Sequence, residues 1–209
     1  MKPVIDNLEE LRMRTTLSRL IPVALLAISM QAHTQGASTQ TEDVVGQGMG
    51  GPVVSEDGAT LTRTTNGVTA HLTMPTPLPG SYSYPSGNAF QPTVLVGHPE
   101  VFTGWIFIFN EPAECSDGIC DSNDLGNTPA RGGAYNFAGH AVSGSTLNLA
   151  GHISVGSPPF VGAPLDNPLG AEVHLAVAPH GMLQPDLLPT QITTPIGTPA
   201  NWWLAVFEP

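Results

Sequence analysis

The chain is 209 residues long and strongly acidic, with 17 Asp and Glu against six Lys and Arg and a formal net charge of −11. Beyond residue 34 only Arg63 and Arg131 remain as cations, and no lysine is left. Such a surface repels phosphate backbones and anionic membranes, which excludes nucleic acid as a partner, and the length suits one domain with a sizeable core behind a processed N-terminus.

Residues 1–34 read as a secretory signal. Arg14 and Arg19 precede the apolar run LIPVALLAISM, which has the length of a signal core and is too short to span a bilayer. Met13 is an alternative start, because it gives a more ordinary signal than the acidic extension before it. Cleavage is expected between Ala32 and Ala37. The expectation is therefore a secreted or periplasmic protein with no integral membrane segment after cleavage. Residues 35–58 are polar, glycine-rich and aperiodic, and predict a flexible leader ahead of a domain at 59–209.

The first clear element is a hairpin. Ala59–Thr65 and Val68–Thr73 flank Asn66-Gly67, a dipeptide suited to a two-residue turn because both positions tolerate φ > 0. The implied register sets Thr65 opposite Val68 and Leu61 opposite Leu72. Leu61, Val68, Ala70 and Leu72 then share one face. The stretch 74–97 is rich in Pro, Gly, Ser and Tyr, which forbids a helix or a central strand. Long loops often carry function, so Tyr82, Tyr84 and Phe90 are candidate ligand contacts. The plainer alternative is that these rings pin the loop to the domain.

Residues 101–109 (VFTGWIFIF) form a near-continuous run of aromatic and β-branched side chains, which fits a strand buried on both faces. Asn110 and Pro112 stop it, and Cys115 and Cys120 follow in an acidic loop. In an exported chain this pair predicts a disulfide that clamps the loop locally. Asp117, Asp121, Asn123 and Asp124 line the loop without matching the EF-hand pattern.

Further on, AGHAVSG is echoed twelve residues later by AGHISVG. A turn at 143–145 predicts a hairpin with Val142 opposite Thr146, His140 opposite Asn148 and Asn136 opposite His152. Ala171–Ala178 and Trp202–Phe207 complete seven or eight strands. The fold class is all-β, an antiparallel β-sandwich of Greek-key or jelly-roll type.

Three histidines, His140, His152 and His174, come from different strands. If those strands are neighbours, the imidazoles can converge on one transition-metal ion, with Glu172 in support. No G-x-S-x-G elbow marks a serine hydrolase. A paired-carboxylate glycosidase stays open because its two acids need not be close in sequence.

From Trp105 through WIFIFNEPAEC to Cys120 and the following D-L-G-N, the chain resembles a set of uncharacterised secreted bacterial proteins with a W-x-x-F-N-x-P-x-x-C stretch. The likeness continues through GAEVHLAVAPHG (Gly170–Gly181) to the terminal AVFEP. It departs at Ala178, where a basic or polar residue is expected, and in the 184–199 crossing, where a cysteine pair is expected. The resemblance implies an exported β-domain and brings no activity with it. The leading expectation is an acidic binding or structural module of the cell envelope or exterior, without cofactor, whose ligand is a carbohydrate or another envelope protein. A metal-dependent oxidoreductase on the three histidines stands second, and a glycosidase-like hydrolase third.

Overall fold

The polar/apolar alternation within 53–73 and the unbroken apolar run 101–109 both favour sheet, and both stretches form strands. A computed structural model of the chain describes residues 36–82, 98–126, 128–195 and 202–209. Its strands are β1 (Ser38–Val45), β2 (Val53–Thr64), β3 (Gly67–Pro75), β4 (Glu100–Phe109), β5 (Gly132–Val142), β6 (Thr146–Ser154), β7 (Val161–Gly162), β8 (Glu172–Met182) and β9 (Trp203–Phe207). All pairs are antiparallel, in the order β6-β3-β2-β1-β9-β8-β4-β5-β7. The sheet curls into a half-barrel.

The all-β, antiparallel class holds, but the pairing makes one continuous sheet instead of two stacked ones. The strand responsible is β1, which lies in the stretch expected to be a flexible leader. Most of its side chains are polar and exposed, and only Val44 is fully buried, so the sequence shows no amphipathic period there. Its backbone nevertheless pairs with β2 from Ser38↔Arg63 onwards, and Val45 sits opposite Leu204 of β9. That single bridge joins the β6-β3-β2 group to the β9-β8-β4-β5-β7 group.

The core lies on the concave face. Leu61, Val68, Leu72, Phe102, Ile106, Ile108, Leu175 and Phe207 are buried there with Trp203. Each such side chain contributes roughly 1.5–3 kcal/mol through burial. Strand β4 is buried on its other face too, where Trp105 packs with Ala176, Ala178, Trp202 and Leu204. That double burial is what its unbroken apolar run requires.

Two registers differ from expectation. The β2–β3 turn residues are Thr65 and Asn66, so Thr64 pairs with Gly67, Arg63 with Val68 and Leu61 with Ala70. Thr64 Oγ1 accepts the Asn66 N–H at 3.2 Å, and Gly67 opens β3 at φ +155°, which closes the turn one residue early. The shift of two leaves the faces unchanged, and Leu61, Val68, Ala70 and Leu72 are buried together. The second difference is larger. Strands β5 and β6 are not a hairpin ladder: β5 pairs with β4, while β6 pairs with β3 from Gly67↔Ser154 to Pro75↔Thr146. Long-range apolar matches (Val68 with Ile153, Leu72 with Leu149, Met74 with Leu147) outweigh the local turn.

Arg63 closes one end of the curl. It is 1% exposed on the concave side, and all five of its N–H groups are used. Nε donates to Gln40 Oε1 at 2.8 Å, Nη1 to the carbonyls of Ala171 (2.6 Å) and Pro168 (3.2 Å), and Nη2 to those of Phe207 and Glu208. Burial pulls the guanidinium pKa below its ordinary value.

Candidate functional site: a cleft at the mouth of the seam

Curling brings the β4–β5 side of the sheet round to the β3–β6 side. Gly151 of β6 meets the backbone of Phe137 in β5, and the Phe137 ring covers Gly104. At the end of this seam, opposite the Arg63 plug, four strand ends meet. Pro75 and Thr146 are paired there on one side, and Glu100 and Val142 on the other. The space between them is a cleft of about 300 Å³ lined by Thr76, Pro77, Leu78, Pro79, His98, Glu100, Val142 and the turn 143–145.

Prolines after β3 prevent the chain from continuing as sheet, so Thr76–Pro79 peels away and forms one wall. The β5–β6 turn forms the other, tied back by the Thr76 N–H donating to the Ser145 carbonyl at 3.0 Å. Glu100 is the first residue of β4 and is 3% exposed. Burial pushes its carboxyl up to about 7. His98 stands two residues earlier and is exposed. Thr76 Oγ1 is buried and makes no hydrogen bond. A carboxyl that changes protonation near neutral pH, a hydroxyl with free bonding capacity and apolar walls together make a site able to hold a small amphipathic group.

Behind the cleft, on the other face of β4, lies a second polar cluster. Trp105 Nε1 donates to Thr103 Oγ1 at 3.0 Å, and Thr103 Oγ1 is 2.8 Å from His180 Nε2. The hydroxyl oxygen can accept from both Trp105 and His180 or donate to Nε2, so the direction of this second bond follows the His180 tautomer, and the ring's other nitrogen is Nδ1. That Nδ1 has no hydrogen-bond partner. His180 is fully buried, and desolvation lowers its pKa to about 4. The Gln191 side chain donates to the carbonyls of His180 and Met182 and ties the short helix α1 (Leu188–Gln191) onto this end of β8.

The residues expected from sequence fall elsewhere. His140 and His152 are exposed on β5 and β6, and His152 Nδ1 bonds Thr69 Oγ1 at 2.9 Å. His174 is on β8, where Nε2 meets Glu172 Oε1 at 2.6 Å. The expected convergence depended on these strands being neighbours in the ladder, whereas β4 separates β5 from β8 and β6 pairs with β3. Among the described residues no group of three or more His, Cys, Asp or Glu side chains is placed to hold a metal.

Tyr82 is 7% exposed and packs edge-on against Trp203 at 5.3 Å. Tyr84 and Phe90 lie outside the described residues, as does the signal segment. Cys115 and Cys120 form the expected disulfide. Within that loop burial alone would raise the Asp124 pKa. The backbone N–H groups of Ser116 and Asp121 outweigh it and hold the carboxyl below its ordinary value.

Glu100, Thr76, His98 and His180 were not singled out by sequence reasoning. One signal was available: Glu100 is an acid directly abutting a strand that is apolar on both faces. Among the described residues no helix is long and apolar enough to cross a membrane. No family model matches the chain, and neither the curated proteins nor the solved structures contain a significant match.

Proposed function

We propose that the protein is an exported binding module that holds a small ligand in the cleft at the mouth of the seam. The observation that carries this reading is the buried, ionisable Glu100 lining an open cleft of about 300 Å³. A carboxyl of this kind costs stability when ionised, and such groups concentrate at functional sites. Export is supported by the signal-like N-terminus, by the Cys115–Cys120 bond and by the resemblance carried in Trp105–Asn127. The acidic balance suits a secreted or periplasmic protein. A glycosidase-like reading gains less, because the described lining of the cleft holds one carboxylate and not the pair that chemistry uses.

The test is a ligand screen by thermal shift on the exported protein and on a Gly144→Trp variant. A β-carbon at Gly144 meets nothing within 4 Å, so the indole enters open space and the variant is expected to fold while obstructing the cleft. The reading requires hits that stabilise the wild type and lose their effect in the variant. Hits that persist unchanged in Gly144→Trp would place binding elsewhere and refute it.

A further inference from the structure

The outer face of the sheet over β1, β2, β3 and β6 carries a regular pattern that the cleft does not use. Thr39 and Thr41 of β1 stand opposite Thr62 and Thr60 of β2. These stand opposite Thr69 and His71 of β3, which in turn face His152 and Ala150 of β6. Two rows therefore cross four strands, Thr39–Thr62–Thr69–His152 and Thr41–Thr60–His71–Ala150, and the pair Thr73–Asn148 continues them on β3 and β6. Their strand neighbours Leu61, Ala70, Leu72 and Leu149 are buried in the core, so the row side chains point outward, and each is exposed or half-buried.

Cross-strand bonds hold the rows in order. Thr39 Oγ1 lies 3.1 Å from Thr62 Oγ1, Thr69 Oγ1 lies 2.9 Å from His152 Nδ1, and Thr73 Oγ1 donates to Asn148 Oδ1 at 2.8 Å. The β2–β3 and β3–β6 ladders run without a bulge, and side-chain ladders of this kind hold a sheet flat against its natural twist. Threonine is stiff at χ1, which fixes its methyl and hydroxyl together, and each hydroxyl keeps bonding capacity beyond its cross-strand contact. The result is a grid repeating at about 6.8 Å along the strands and about 4.8 Å across them. Water oxygens on the prism faces of hexagonal ice repeat on a rectangular grid of similar dimensions.

Charge selects the occupant. The chain carries 17 acidic residues, yet none stands in either row, and Asp43 and Glu56 come only where the β1–β2 register shifts. Lys, Arg, Phe, Tyr and Trp are absent from the rows as well. Flat sugar rings stack on aromatic platforms, and protein partners need large buried anchors, neither of which this face offers. An uncharged water lattice needs neither.

We propose that this face binds ice, with the threonine methyls and hydroxyls seated against the water lattice in register. The face is separate from the cleft, so ice binding and ligand binding in the cleft succeed or fail independently.

The experiment is partition of the full exported protein into slowly growing polycrystalline ice, with inhibition of ice recrystallisation as a second readout. Wild type is expected in the ice at a level at least tenfold above that of a Thr41→Lys/Thr62→Lys variant, which sets a bulky charge in each row. Leu187→Lys adds a charge at an exposed position ahead of α1 and should partition like wild type. Melting curves check that the variants fold, and Thr39→Lys, at an exposed position of β1, serves if the double variant does not. Exclusion of wild type from ice, or equal partition of wild type and a folded row variant, would overturn the inference. A loss in Leu187→Lys as large as in the row variants would reduce the effect to net charge and overturn it too. Retention on microcrystalline cellulose, or dimer formation that the row variants abolish, in either case without enrichment in ice, would assign the face to another partner and overturn it.

Discussion

A β-carbon on Gly151 would lie 2.3 Å from the carbonyl oxygen of Phe137, closer than any real pair of such atoms. The two residues belong to β6 and β5, strands that share no ladder, so the contact marks where the curled sheet brings its two sides together. The glycine of the second AGH echo is therefore explained by backbone approach.

This contact yields the first prediction. Gly151→Ala must push the seam apart and is expected to cost about 1–3 kcal/mol, the usual range for overpacking. Gly144→Ala, in open space at the same end, should change stability by less than about 0.5 kcal/mol. Urea unfolding of the two variants checks the contrast.

Arg63 supplies the second. Its guanidinium is buried among neutral acceptors, so Arg63→Met removes the charge but strands the carbonyls of Ala171, Pro168 and Phe207. The expected loss is about 3 kcal/mol or more. Arg63→Lys keeps the charge but offers three donors where five were used, and should also lose measurable stability in the same assay.

Asn110 gives the third. Its Nδ2 donates to the carbonyls of Arg131 (2.9 Å) and Pro164 (3.0 Å), while Oδ1 accepts from the backbone of Asp166 and Asn167. Asn110→Asp turns the donating side toward two carbonyls with an oxygen, and should cost about 2–4 kcal/mol at neutral pH. Lowering the pH to protonate the aspartate should recover part of that loss.

Protonation gives a fourth, with two groups of opposite sign. Glu100 keeps its proton in the folded state up to about 7 while the unfolded chain loses it near 4.5, so its contribution falls as pH rises through that window. His180 stays neutral when folded down to about 4 while the unfolded chain takes up a proton near 6.5, so its contribution rises over nearly the same window. The two slopes offset each other between about pH 4.5 and 6.5. Glu100→Gln should expose the histidine's slope, with stability climbing as pH rises, and should gain roughly 1–2 kcal/mol over wild type at pH 8, below the full worth of the shift because water reaches the cleft. His180→Gln should show the reverse tilt. Melting temperatures across pH 4.5–8 check both.

How much of this was legible in the sequence depends on where each signal sits. The apolar run ending at Phe109, the face shared by Leu61 and Leu72, and the Cys115–Cys120 clamp are local patterns, and local chemistry determines them. Strand β1 was hidden because a strand held by backbone bonds alone needs no apolar period; only Val44 of its eight residues reaches the core fully. The β5–β6 hairpin was misread because a plausible turn at 143–145 says nothing of the competing partner 70 or more residues earlier in β3. The three-histidine expectation depended on strand adjacency, which local patterns do not carry, and among the described residues no group of three or more such side chains is placed to hold a metal. Glu100 became visible only once Pro75–Pro79 and the 143–145 turn were seen to meet around it.

Under the binding reading Glu100 is a functional carboxyl tuned by its place in the cleft, and an NMR pH titration of the ¹³C-labelled Glu100 side chain decides it. A midpoint near 7 is expected, and a midpoint near 4.5 would refute the reading.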